Sequence, residues 1–390
     1  MPLRLLIAPD KFKGTLSARA AAEAIARGWR SVRPDDELVL LPMSDGGDGF
    51  GEILAGLLDA APVPLHTVDA AHRPLDAVWW WHEPTRTALI ESARIVGLAL
   101  LPAKRFHPFE LDTRGLGAAF RAAAEHGARR CLVGIGGSAT NDAGFGVARA
   151  LGWRFFGETG DELTAWTQLR RLSSVVRPPP EPRLFEELIV AVDVQNPLLG
   201  FNGCTRIYGP QKGLLPEDFD LAERCLDRLA AMMRQQCAQD HAIEPGAGAA
   251  GGLGFGLRSF AGAHLEPGFG LFARHTGLEK RLAGVDAVIT GEGAIDAQTL
   301  MGKGVGELAL LCQRAGVPCL ALAGAAQPGI EPERLFAATH LLTPDFVSTQ
   351  RAFAETAACL EELAAYAASQ RSAFNSPAAR PSSDTPVRRA

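Results

Sequence analysis

No stretch of this 390-residue chain stays apolar for the roughly 20 residues a bilayer-spanning helix needs, because Gly, Pro and charge interrupt every hydrophobic run. No basic block occurs before the extreme tail and the net charge is −5, so nucleic acid is not an expected partner. The seven cysteines, at 131, 204, 225, 237, 312, 319 and 359, are odd in number and scattered. None forms a Cys-x-x-Cys pair or stands near a His at zinc spacing, which argues against a disulfide framework and a structural zinc. Buried thiols in a reducing cytoplasm are the expectation. The opening Met1–Asp10 segment has too short an apolar part for a signal peptide and reads as a first strand. No internal repeat is visible. A Walker A loop is also missing: Gly302-Lys303-Gly304 has neither the following Ser/Thr nor the upstream glycine.

What is present is 47% hydrophobic residues over a length that suggests two or three domains. Leu3–Pro9 reads as a buried strand. Ser17 is a plausible N-cap for a helix with Leu16, Ala20, Ala24 and Ile25 at helical spacing and Gly28 near its end. Glu37–Met43 reads as the next strand, giving a β-α-β opening. Val78–Trp81 and Thr87–Glu91 suggest a hairpin. The consecutive Trp79, Trp80 and Trp81 cannot all face one side, and a packing role is preferred. Strands are expected at Cys131–Ile135, Leu188–Val194, Asp286–Thr290, Cys319–Ala323 and His340–Thr343, and helices at Val147–Leu151, Pro216–Gln239 and Gly304–Arg314. The first and last β-α-β segments resemble one another. The expected architecture is therefore α/β with two domains: a Rossmann-like unit from both chain ends (1–68 with 285–368) and an inserted mixed-sheet domain (69–284). A disordered tail is expected from 369 to 390, and a ligand crevice between the domains.

Three loops carry the chemistry. Ser44-Asp45-Gly46-Gly47-Asp48-Gly49, Gly134–Asp142 and Gly291-Glu292-Gly293-Ala294-Ile295-Asp296 each follow an apolar run. Strands that end in glycines and carboxylates are how an open α/β sheet builds a ligand site at its carboxyl edge. In the middle loop, Gly136 and Gly137 let backbone N–H groups approach an anion. Ser138, Thr140 and Asn141 add donors, and the following helix offers its N-terminus; a plain strand-to-helix turn is an equally good reading. Lys11 and Lys13 could hold phosphate or carboxylate. Lys303 opens a helix, where a cation opposes the dipole. Asp45, Asp193, Glu292 and Asp296 all follow strand-like runs and suit the metal-binding and proton-accepting carboxylates of phosphoryl transfer, or else turns and caps. Gly246-Ala247-Gly248-Ala249-Ala250-Gly251 fits G-x-G-x-x-G, but Ala242–Pro245 is a poor strand, so a nicotinamide site is disfavoured.

These blocks resemble the bacterial glycerate kinase family of the two-domain kind, type 2, from about Leu5 to Leu342. The resemblance rests on Ala8–Lys13, Ser44–Gly49, Glu91-Ser92-Ala93 with Gly97-Leu98, and Gly134–Asp142. It extends through Asp193–Leu198, Gly209-Pro210-Gln211-Lys212-Gly213, Pro245–Gly252 and Ile289–Gly293. The family pattern has Glu-Gly-Thr in place of Asp48-Gly49-Phe50, Arg at Ala294, His at Met301, Pro at Val305 and an acid at Ala118. The resemblance implies two α/β domains and ATP- and Mg²⁺-dependent phosphorylation of D-glycerate, most often at the 2-hydroxyl. A silent organic-acid sensor, or a kinase for a related hydroxy acid, remains the alternative. Within the kinase reading Lys11, Lys13, Asp45 and Asp193 are the catalytic candidates, Asp45 and Asp193 as proton acceptors. Asp10, Gly136, Gly137, Ser138, Thr140, Asn141, Asn196 and Lys303 are the substrate or phosphate contacts. Gly291, Glu292 and Gly293 are assigned to the nucleotide, and Glu292 with Asp296 to the metal. A cytoplasmic enzyme, with glycerate and ATP as partners and homodimerisation left open, completes the expectation.

Overall fold

A computed structural model of the chain describes residues 2–179, 184–237, 240–301 and 304–370. The chain forms two compact units, one from Met1–Ser44 with Ala273–Ala390 and one from Asp45–Phe272.

The first unit is built on a five-stranded parallel sheet. Its spatial order is Ala338–Leu341, Cys319–Ala323, Ala287–Thr290, Arg4–Ile7, Glu37–Leu40. The Arg4–Ile7 strand thus takes its neighbours from both chain ends: Leu5 is opposite Ala287 on one side and Leu38 on the other. Strands buried on both faces need continuous apolar sequence, which Leu5, Leu6, Ile7, Val288, Ile289, Leu320 and Leu322 supply. Ser17 caps the helix Ala18–Val32 by accepting from Ala20 N–H at 3.2 Å. Gly28, expected near that helix's end, lies a turn inside it. A Cβ there would fall 2.0 Å from the Glu361 carbonyl oxygen, so this glycine lets the helix pack closely on Thr356–Ser369.

The second unit has a six-stranded mixed sheet in the order His264–Pro267, Glu187–Val192, Arg130–Gly134, Thr87–Glu91, Pro74–His82, Ala61–Val68. The first four strands are parallel, and Pro74–His82 runs antiparallel to both of its neighbours. The strand Ala61–Val68 pairs along its whole length with Pro74–His82, which places it in this unit's sheet and not in the first unit, where the 1–68 boundary puts it. The three tryptophans alternate as a pleated strand requires. Trp79 lies in the core with Trp81 packed against it, both edge-on to His126. Trp80 faces the other side, where Arg94 stacks 5.1 Å from its ring. The six cysteines at 131, 204, 225, 312, 319 and 359 are buried free thiols. Among the described residues no helix is long and apolar enough to cross a membrane. The segment assigned to a disordered tail falls, from 371 onward, outside the described residues.

Candidate active site

Parallel strands deliver the candidate residues to a carboxyl edge in each unit. In the first unit, the loops after Arg4–Ile7 and Ala287–Thr290 run side by side. Ala8 N–H donates to Ile289 O at 2.8 Å, Asp10 N–H to Gly291 O at 2.8 Å, and the Thr290 hydroxyl to Ala8 O at 2.7 Å. Gly291 is needed because a Cβ would lie 2.1 Å from Leu322 O. The Asp10 carboxylate turns back to accept Lys11 N–H at 2.7 Å, and Lys13 is exposed. Gly293 O accepts Ala325 N–H at 3.2 Å, joining a third loop to this edge. Glu292 and Asp296 are linked through Thr299. Its hydroxyl donates to Glu292 Oε1 at 2.8 Å and accepts Asp296 N–H at 3.2 Å. Asp296 Oδ1 also caps the short helix Ala297–Leu300, accepting from Gln298 and Thr299 N–H. Asp296 is therefore a helix cap whatever else it does. Lys303 lies outside the described residues.

In the second unit, Thr87–Glu91, Arg130–Gly134 and Glu187–Val192 are adjacent parallel strands, with Glu91 opposite Gly134 and Gly134 opposite Ala191. Their loops therefore open at one edge. The Asp45–Gly49 loop packs onto the middle one: Gly136 N–H donates to Gly46 O at 3.2 Å, and a Cβ on Gly136 would lie 2.6 Å from Gly47 Cα. Asp45 Oδ1 accepts Gly47 N–H at 3.2 Å in an Asx turn. A Cβ on Gly137, whose φ is +74°, would reach 2.0 Å from Asp48 Oδ1. The glycines here let two backbones approach each other, a use that the motif alone could not distinguish from anion approach.

Glu91, expected to end the Thr87–Glu91 strand and part of a resemblance block but not among the candidate site residues, does end that strand and is buried. It accepts Gly49 N–H at 2.8 Å and Gly51 N–H at 3.2 Å, and so caps the helix Phe50–Leu58, whose N-cap Gly49 has no side chain to do so. Burial raises its pKa above the usual carboxylate value, while those N–H donors and Arg94, 3.5 Å away, pull it down.

In the Gly134–Asp142 loop, Ser138, Thr140, Asn141 and Asp142 are all buried. The Ser138 and Thr140 hydroxyls are 2.9 Å apart, and Asn141 donates to the Thr205 hydroxyl at 3.2 Å. Asn141 Oδ1 is buried without a partner. The following helix is only Phe145–Ala150, and its N-terminus is already occupied. Asp142 accepts Gly146 N–H at 2.8 Å and the Thr113 N–H and hydroxyl at 3.0 and 2.8 Å, while Val147 N–H donates to the Thr113 hydroxyl at 2.9 Å. The helix end expected to face an anion is thus satisfied by protein. Desolvation, with Asp112 nearby, raises the Asp142 pKa to about 6 against these donors. The Lys212 ammonium is buried and donates to Thr140 O at 2.6 Å.

Asp193 is exposed at the end of Glu187–Val192. Asn196 uses both ends of its amide within the protein. It donates to Asn202 O at 2.8 Å and accepts the Tyr208 hydroxyl at 2.6 Å. The Gly246–Gly252 run follows a 3-10 turn, His241–Ile243, where the dinucleotide motif needs a strand. Its glycines press on the substrate-loop candidates: Gly248 on Pro197 O and Gly251 on Thr140 O. Among the described residues, no three His, Cys, Asp or Glu side chains gather as a metal site.

The family model for the glycerate kinase family matches residues 5–371. A glycerate kinase of Halalkalibacterium halodurans is 35% identical over 92% of this chain and 96% of its own length. The glycerate 2-kinase of Escherichia coli is 36% identical over 83% and 85%. A crystal structure from Salmonella typhimurium LT2, described as a glycerate kinase 2, superposes with a TM-score of 0.79 at 31% identity, covering 95% of this chain and 98% of that one.

Proposed function

Because the chain belongs to the glycerate kinase family, we propose that it transfers the γ-phosphoryl group of ATP to the 2-hydroxyl of D-glycerate. One observation carries the reading beyond kinship. At the carboxyl edge of the six-stranded sheet, the strand that runs into the exposed Asp193 lies beside the strand that runs into the hydroxyl-bearing Gly134–Asp142 loop, and Gly136 N–H of that loop donates to Gly46 O of the Asp45–Gly49 loop. Phosphoryl transfer asks for positioning and charge neutralisation more than covalent chemistry, and the residues fit that division of labour.

Asp193 accepts the proton of the attacking hydroxyl, with Asp45 as the second candidate. Removing the proton as the O–P bond forms keeps positive charge off the nucleophile. Ser138, Thr140 and Asn141 orient the acid, and Lys11 and Lys13 supply positive charge for carboxylate and phosphate. Glu292 and Asp296 offer hard oxygen donors of the kind Mg²⁺ takes alongside nucleotide phosphates. Asp296 Oδ1 accepts from two amides and Glu292 Oε1 from the Thr299 hydroxyl, so both carboxylates are oriented by the protein. When bound, the ion neutralises phosphate charge.

The test is ADP release by the purified chain over a panel of small hydroxy acids, with the product read by phosphorus NMR. The reading expects D-glycerate to be preferred, 2-phosphoglycerate to form, and ATP hydrolysis without glycerate to be much slower. Turnover of another hydroxy acid alone would move the substrate. No turnover of any acid, with binding retained, would establish the sensor alternative.

A further inference from the structure

Lys212 is a buried cation with no part in the chemistry above. It ends the helix Cys204–Lys212, and its side chain runs inward, leaving the residue 7% exposed. The ammonium donates to the Thr140 carbonyl at 2.6 Å. Gly251 packs against that oxygen from a second direction, so closely that a Cβ on it would lie 2.0 Å away, and Gly251 O accepts Ala143 N–H at 3.0 Å. The backbone between Ser138 and Asp142 is therefore held at Thr140 by a charge and abutted there by a left-handed turn at Ala250–Gly252. Burying an ammonium is costly unless something that must stay in place answers it, and an apolar side chain of similar length would fill the volume without that cost.

We propose that Lys212 is a positioning residue, its ammonium clamping the Thr140 carbonyl so that Ser138, Thr140 and Asn141 are held in the arrangement that receives the hydroxy acid. This rests on the phosphoryl-transfer reading of that loop. The titratable groups facing the ammonium are Cys204, on its own helix, and Asp142, on the loop. The Asp142 carboxylate favours the charged form, whereas the Cys204 thiol, pushed up to about 12 by burial, stays neutral in this range; burial outweighs Asp142 and lowers the Lys212 pKa to about 8. The clamp therefore weakens as pH rises through that value. A guanidinium at the same place keeps its charge.

The experiment compares wild type, Lys212→Met and Lys212→Arg as full chains. ADP release with D-glycerate is followed from pH 6 to 10, with amide exchange of residues 136–142 and melting temperature measured alongside. Expected are a drop of at least about tenfold in kcat/KM for glycerate in Lys212→Met at unchanged fold, and faster exchange of the loop. The wild type should show an alkaline limb near pH 8, moved up by a unit or more in Lys212→Arg. The proposal is overturned if Lys212→Met keeps more than half of wild-type kcat/KM, or if wild type and Lys212→Arg lose activity at the same alkaline pH. Should Lys212→Met not fold, the limb in Lys212→Arg decides alone. A wild type inactive on glycerate would count against the function, whereas unchanged loop exchange in Lys212→Met would count against the clamp.

Discussion

Glu91 Oε1 accepts the Gly49 N–H at 2.8 Å across 42 residues of sequence. Through this bond a strand end in the sheet caps the helix Phe50–Leu58, whose N-cap Gly49 has no side chain. The same carboxylate takes Gly51 N–H, so the Asp45–Gly49 loop is held from below by one buried acid. Glu91→Ala should leave two N–H groups unpaired at a site largely closed to water. The expected loss is about 3 kcal/mol at one to two kcal/mol per orphaned donor, read by urea denaturation. A loss under about 0.5 kcal/mol would mean that water or a neighbour replaces the acid.

Asp142 gives a pH signature. Its folded pKa, pushed up by burial to about 6, stands above the ordinary value of 3.8. Between those values the folded state holds a proton that the unfolded chain has released, so this group makes stability fall as pH rises from about 4 to about 6, and adds no slope above. Asp142→Asn should flatten that part of the profile. Urea midpoints at pH 4.5 and 6.5 for both proteins check it; identical slopes would show that Asp142 titrates normally.

Two glycines with similar φ separate steric fit from backbone strain. Gly251 (φ +71°) would place a Cβ 2.0 Å from Thr140 O, whereas Gly277 (φ +59°) has nothing within 4 Å. Gly277→Ala should cost about 1–2 kcal/mol, the left-handed penalty alone. Gly251→Ala should cost well beyond that, because the obstacle is backbone, and should lower activity by displacing the substrate loop. Equal losses in thermal melts would show that the loop yields freely.

Asp193→Asn should leave the melting temperature within a degree or two, since the side chain is exposed, while kcat falls by about 10²–10⁴-fold, the usual range for a lost general base. Retention of more than a third of kcat would remove Asp193 from the proton-accepting role and put Asp45 in its place.

The sequence by itself determined the strand ends. Apolar runs closing on Asp10, Asp45, Gly134, Asp193 and Gly291 are local patterns, and each marks a loop at or near a carboxyl edge. It also determined the α/β class, since helical and strand periodicities alternate at both chain ends, and the caps at Ser17 and the turn at Asp45 are set by neighbours two or three residues away. Only the tertiary structure decided which distant residue answers which. Leu5 lies beside Ala287, Glu91 reaches Gly49, and Lys212 reaches Thr140. None of these pairings leaves a periodic trace, because a single hydrogen bond across many residues depends on sheet order rather than on spacing. The glycines show the same division. Their abundance was plain in the sequence, but whether Gly136, Gly251 and Gly291 make room for an anion or for another backbone depended on what the fold set against them.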